Sequence, residues 1–267
     1  MSKLSVNHNQ NLALVAMHGP PEAVGIALQQ STLRAPIDDW DIEIANQHAV
    51  ATGLRYVKHN VATAFPGNPL SEDYELNRPF ELLKLAACYK TVLDIHDQAA
   101  GTGEHVVMDR QVNARLLGIT ALLGVNKIII HPHGNMMVNH AANTLTVELC
   151  RGDTAIEKRI ANNVVKLRQC MGAIANNKIP EVDPKDFIYY ERVFEIRTLR
   201  AKALGLQNTG NLAPFDPIPS NVAKRLGQPP GRYVAEHWNG NNSSNGEFFG
   251  GVLREIPPPL ITQPYYC

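Results

Sequence analysis

Four residues in the first 150 have the chemistry of a hydrolytic metal site: His18 and Glu22 in His18-Gly19-Pro20-Pro21-Glu22, His96 in Asp94-Ile95-His96-Asp97, and Glu148 near the end of the apolar run Leu145–Leu149. Imidazole and carboxylate are a common zinc set, and a catalytic zinc keeps three protein ligands and one open position for water. A carboxylate left off the metal can take the proton from that water. Each residue also has a plain structural use. His18 could be a strand-end histidine bonded to a loop, and Glu22 a first-turn carboxylate favoured by the helix dipole. His96 has Asp94 and Asp97 beside it as groups able to fix its tautomer. Glu148 meets a sharper objection, because a carboxylate in an apolar strand is costly to bury unpaired, and that cost argues for a function.

The elements that must carry these residues alternate along the chain. Apolar, β-rich runs at Leu12–Met17, Trp40–Ala45, Thr91–Ile95, Val125–Ile130 and Leu145–Leu149 predict strands. Between them, helical periodicity predicts helices at Glu22–Thr32, Tyr74–Cys88, Gln111–Leu123 and Thr154–Ala173, the last with Asp153 as N-cap. Such alternation predicts an α/β fold with a mixed, largely parallel central sheet and flanking helices. In such sheets ligands bind at the carboxyl ends of the strands, where His18, His96 and Glu148 fall. From Leu206 onward the chain holds nine of its eighteen prolines, and the polar tract Asn239 to Gly246 follows. Residues 1–180 are therefore expected to form the catalytic domain and 181–267 a small β-rich C-terminal domain. Phe187–Ile196 fits either a strand or a short amphipathic helix.

Composition removes several classes. Lys and Arg number 25 against 25 Asp and Glu, interspersed, so no basic stripe marks a nucleic acid or an anionic membrane as partner. No run approaches the roughly 18 apolar residues of a membrane span, and the polar opening Met1 to Gln10 is unlike a signal peptide. A cytoplasmic location and a small-molecule partner are the expectations. Cys88, Cys150, Cys170 and Cys267 are widely spaced without Cys-x-x-Cys pairing, which points to reduced thiols and no zinc knuckle. Cys150 has packing as its default role. Gly101-Thr102-Gly103 is too short for a dinucleotide fingerprint. His131-Pro132-His133-Gly134 follows a strand and reads either as pocket lining or as a surface loop. His105, His140 and Asp97 have no spacing rule that assigns them to the site.

The same residues carry a family resemblance. LALVAMHGPPEAVGIAL resembles the first metal motif of the succinylglutamate desuccinylase/aspartoacylase family of zinc carboxypeptidase-like deacylases: strand, His-Gly-x-Glu, then a helix with Gly three residues after the Glu, here Gly25. TVLDIHDQ resembles the family's Asp-(Leu/Ile)-His-(Asn/Asp) motif, and LTVELCRGD the strand bearing its catalytic glutamate. The resemblance runs from about Leu12 to Asp153. It implies one Zn2+ per chain held by His18, Glu22 and His96, with Glu148 as general base. Asn46, Ala49, Arg55-Tyr56 and Phe65-Pro66-Gly67 are similar to the family stretch between the metal motifs. That likeness implies that Arg55 polarises the scissile carbonyl. The implied activity is hydrolysis of an acyl–nitrogen bond in a small N-acyl compound, and the family's habit implies a homo-oligomer.

Two departures stand out. The family's Asp-Leu-Asn-Arg, which holds a substrate carboxylate, is here Asn60-Val61-Ala62-Thr63, so an altered carboxylate site is expected. Leu76-Asn77-Arg78 is a poor replacement, since Tyr74-Glu75 and Arg78 resemble a structural segment of the family. The first motif also has one extra residue, so Pro20-Pro21 must form a wider, rigid turn that returns Glu22 to the metal. These departures keep two rivals open: a degenerate relative that binds metal or ligand without turnover, and a zinc carboxypeptidase.

Overall fold

The computed structural model describes residues 10–98, 103–131, 134–150, 155–197, 201, 203–204, 206, 212, 215–228, 233–236 and 248–261. Nine strands form one sheet: β1 (Asn11–Val15), β2 (Trp40–Ile44), β3 (Thr91–Gln98), β4 (His105–Met108), β5 (Lys127–Ile130), β6 (Thr144–Cys150), β7 (Ile188–Arg197), β8 (Tyr233–Glu236) and β9 (Phe248–Ile256), in the order β2-β1-β3-β6-β4-β5-β7-β9-β8. The described helices are α1 (Ala23–Arg34), α2 (Gln47–Thr52), α3 (Tyr74–Ala86), α4 (Ala114–Leu122), α5 (Ile156–Ala175) and α6 (Ser220–Arg225).

The predicted α/β architecture is present, and burial explains it. All five residues of β1 are buried, and after Asn11 they are all apolar, as in a strand covered on both faces. Side chains alternate across the sheet. Ala13, Val15, Leu93, Ile95 and Val147 join a core with Leu28 of α1 and Leu167 of α5, whereas Leu12, Leu14 and Val92 join Val61, Phe65 and Leu82 on the other face. Gly25 brings α1 close to β1, because a Cβ built there would lie 2.8 Å from the Cβ of Val15. The indole of Trp40 donates to the carbonyl of Met171 at 3.0 Å and ties β2 to α5.

Several elements depart from the sequence expectation. The helices α2 and α6 and the strand β4 are additions, and β4 runs antiparallel to β6. The strands β5 and β7 are each parallel to the strand before them in the sheet, so the whole β4-β5-β7 block is reversed relative to β1, β3 and β6. The segment that fits either strand or helix is the strand β7. Helix α5 starts at Ile156 after Ala155 in a left-handed conformation, φ 51°. The expected cap Asp153 lies outside the described residues, as do Met1 to Asn9, the tract Asn239 to Gly246, Gly101-Thr102, Pro132-His133 and the side chain of Cys150. Beyond residue 180 the sheet continues, because β7 pairs with β5 as well as with β9. That region also has apolar packing of its own, with Ile196, Ile218, Val222 and Val252 in one cluster.

Candidate metal centre

The turn after β1 delivers the first two donors. Ala16 (φ 55°) and Gly19 (φ 65°) take left-handed conformations, and the N–H of Glu22 donates to the carbonyl of Gly19 at 3.1 Å. Two successive turns thus absorb the extra residue, and Glu22 reaches back from the N-cap position of α1. The backbone N–H of His18 donates to Oε2 of Glu22 at 3.1 Å, and Nδ1 of His18 lies 2.7 Å from Oε1. Strand β3 supplies the third donor: Nδ1 of His96 lies 2.9 Å from the same Oε1 and 3.3 Å from Nδ1 of His18. The three residues that the resemblance implies as ligands therefore converge, and among the described residues they form a group able to hold a metal ion.

The set fits Zn2+ in type and in separation. Tetrahedral ligands with bonds of about 2.0–2.1 Å sit roughly 3.3 Å apart, close to the separations here. The electrostatics fit as well. Burial by itself would lower the pKa of His96, but the carboxylates of Asp94, Glu22 and Glu148 outweigh it and raise the imidazole well above its ordinary value. Burial alone would raise Glu22, but His96 and His18 hold it well below the usual carboxylate range. This surplus of buried negative charge is what a cation relieves, and its binding would displace the proton from His96. Glu22 and His96 are enclosed, whereas His18 is partly open and leaves a way in.

Around the donors, Asp94 and Asp97 divide the work differently from the sequence expectation. Oδ1 of Asp94 lies 3.0 Å from Nε2 of His96, at an angle short of a regular hydrogen bond, and its Oδ2 accepts from the Thr146 hydroxyl at 3.0 Å. Asp97 points to the other face, where its Oδ2 accepts the N–H of Val24 at 3.0 Å and anchors the start of α1. Glu148 is buried and stands in register with His96 on β3 and with His105 on β4. One lateral row at the metal edge thus reads His96, Glu148, His105. His105 is almost fully buried, with Nδ1 3.0 Å from the carbonyl of Gly103 and its ring edge-on to Phe215. Spacing could not place His105 there; the Val106-Val107-Met108 run that follows it is the local signal for β4.

Arg55 sits in the exposed loop after α2, and the carbonyl of its neighbour Leu54 packs on the metal turn. Gly19 is required at that contact, since a Cβ there would fall 2.2 Å from the Leu54 oxygen. Val61 and Ala62 are buried in the core and Asn60 caps its own 3-10 turn by accepting from Ala62 N–H, so no cation replaces the missing clamp at this position. Asn77 and Arg78 are structural: Asn77 donates to the carbonyls of Pro69 and Ser71, and Arg78 binds Glu43, Glu81 and the carbonyls of Ile44 and Ala45. His131 neither lines the pocket nor lies on a surface loop. It is buried at the end of the reversed strand β5, at the edge opposite the metal donors, with Arg192 and Asn139 as neighbours. His140 is exposed.

The sheet is mixed and mostly parallel, is flanked by helices, and brings His18, Glu22 and His96 together beside β1 and β3. By sequence alone the chain matches no family model and no curated protein. Among solved structures it is similar to the succinylglutamate desuccinylase of Chromobacterium violaceum, with a TM-score of 0.69 and 17% identity over 95% of this chain and 86% of that one. It is similar also to murine aminoacylase 3, with a TM-score of 0.59 and 15% identity over 96% of this chain and 99% of that one. A product-bound ectoine utilization protein from Ruegeria pomeroyi gives a TM-score of 0.56 at 15% identity, over 93% and 85% of the two chains. The chain has the desuccinylase/aspartoacylase fold, and the similar proteins named for an activity are deacylases.

Proposed function

We propose that the protein is a zinc-dependent hydrolase that cleaves the acyl–nitrogen bond of a small N-acyl compound. The observation that carries this reading is the convergence of His18, Glu22 and His96 at one sheet edge with Glu148 in register beside them. His18, Glu22 and His96 would hold one Zn2+, which when bound supplies Lewis acidity and makes water a nucleophile at neutral pH. Glu148 takes a proton from the attacking water and returns it to the leaving nitrogen, so that water and amide become a carboxylic acid and an amine. Arg55, next to Leu54 whose carbonyl packs on the turn of His18 and Glu22, would stabilise the carbonyl oxygen as negative charge develops on it. Burial of Val61 and Ala62 supports a substrate whose part beside that turn carries no carboxylate.

Metal analysis and a panel of N-acyl amines test this together. The expected result is about one zinc per chain, and turnover of an uncharged N-acyl amine. Glu148→Gln should keep the zinc and lose roughly 100-fold or more in kcat. Protein that carries no zinc at neutral pH, or a Glu148→Gln variant as active as the parent, overturns the hydrolase. Turnover of acetylaspartate or succinylglutamate on the order of 10 per second overturns the uncharged substrate alone. The missing clamp favours one rival, a metal-binding protein without turnover, which predicts zinc with no hydrolysis across the panel. Cleavage of peptides that stops when their C-terminus is blocked would mark a carboxypeptidase instead.

A further inference from the structure

We propose that Glu75 is the positioning residue for Arg55, holding the loop that presents this arginine at the lip of the metal site; the inference rests on the hydrolase reading above. Residues 51–59 are all exposed, so apolar packing does not fix their course. Glu75, in the first turn of α3, is 1% exposed, and its carboxylate collects four donors. Oε1 accepts the Asn46 amide at 2.8 Å and the N–H of Val57 at 2.8 Å, while Oε2 accepts the N–H groups of Lys58 at 2.6 Å and His59 at 2.7 Å. Asn46 is itself committed, because its side-chain oxygen caps α2 through the N–H of Ala49. One buried carboxylate therefore joins the start of α2 to the far side of the Arg55 loop.

The near side is fixed by the metal turn, where the carbonyl of Leu54 packs on Gly19 and the N–H of Leu54 donates to Ala49 at 3.0 Å. Arg55 and Tyr56 are thus suspended between two anchors, one on the metal turn and one on Glu75. Lys58 and His59 also approach Asp73, at 3.3 and 3.8 Å, but both side chains are exposed and such pairs hold a loop weakly. Only a carboxylate suits this position, since it offers two acceptor-only oxygens to four N–H donors. Glutamine has the same size and would turn one of those oxygens into an NH2 facing other N–H groups.

Two measurements on the full-length zinc protein test the proposal. Trypsin cuts after Arg55 and Lys58, so cleavage there reports loop order without reference to catalysis. In Glu75→Gln these two cuts are expected to accelerate about tenfold while cuts elsewhere keep their rates. In a double-mutant cycle with the best N-acyl substrate, Glu75→Gln should lower kcat about tenfold with little change in KM, and less than about twofold when Arg55 is already alanine. Equal losses in both backgrounds, or unchanged cutting at Arg55 and Lys58, overturn the proposal. If Glu75→Gln does not fold, Val57→Pro removes one of the four donors and carries the same test. A parent protein with no hydrolysis sinks the hydrolase reading, and the trypsin result still decides whether Glu75 holds the loop.

Discussion

Gly19 and Gly53 both adopt left-handed backbone, φ 65° and 73°, but only Gly19 is crowded. Alanine at Gly53 has open space and should cost about 1 kcal/mol for the conformation alone. Alanine at Gly19 also meets the Leu54 carbonyl and should cost about 3 kcal/mol in urea unfolding, with loss of zinc. Equal costs would show that the Leu54 contact yields easily. Glu75 makes a second prediction at this scale. Burial by itself would raise its carboxyl, but the Asn46 amide and the N–H groups of His59, Lys58 and Val57 outweigh it and hold the pKa below the ordinary 4.5. A carboxyl depressed by folding contributes stability that is complete above the unfolded value and drains away as pH falls through the folded one. The stability difference between the parent and Glu75→Gln is therefore expected to be flat from pH 8 to about 6 and to shrink below about 4.5. Urea midpoints across that range check it, and a difference that grows on acidification would contradict the sign.

The elements show which parts of the molecule are legible in sequence. Strands β1, β3 and β6 lie in or beside the three motifs that resemble the family, so the grouping of His18, Glu22 and His96 is legible through that resemblance, whereas their spacing alone is only suggestive. The four-residue strand β4 follows a glycine-rich stretch and is too short to show a period. Its direction is a long-range property set by pairing with β6, and because β5 runs parallel to β4, His131 ends at the edge away from His18 and His96, so the pocket-lining alternative fails. The extra residue in the first motif is absorbed by left-handed backbone at Ala16 and Gly19, which the Pro20-Pro21 pair does not announce. The part of Asp97 was hidden for a simpler reason: one step along a strand changes the face. Its bond to the N–H of Val24 fixes where α1 begins, one residue after Glu22. Asp97→Ala should therefore cost about 1.5–2 kcal/mol in stability and weaken zinc binding about tenfold, as lost support behind a ligand does. Competition with a chromogenic chelator measures the second effect, and unchanged zinc affinity would separate the helix start from the metal.

At the scale of the molecule, the sheet joins what composition divides. A chain ended at residue 180 would uncover the edge of β5 and remove Phe187 and Tyr189 from the main core. We therefore propose that residues 1–180 and 181–267 are units by composition that fold together. The shortened chain is expected to be insoluble or to lack a cooperative thermal transition, and a sharp transition in a monomeric 1–180 chain would show that the first unit stands alone. Among the described residues no helix is long and apolar enough to cross a membrane. The reversal of β4, β5 and β7 has a further consequence for how such a molecule can change. On one side of Glu148 the rim is made of chain leaving strands, which carries the metal donors; on the other it is made of chain entering them, at His105, Lys127 and Ile188. The entering half carries none of His18, Glu22 and His96, so on the proposed reading it is the half of the rim whose loops can differ with the substrate while those three residues stay in place.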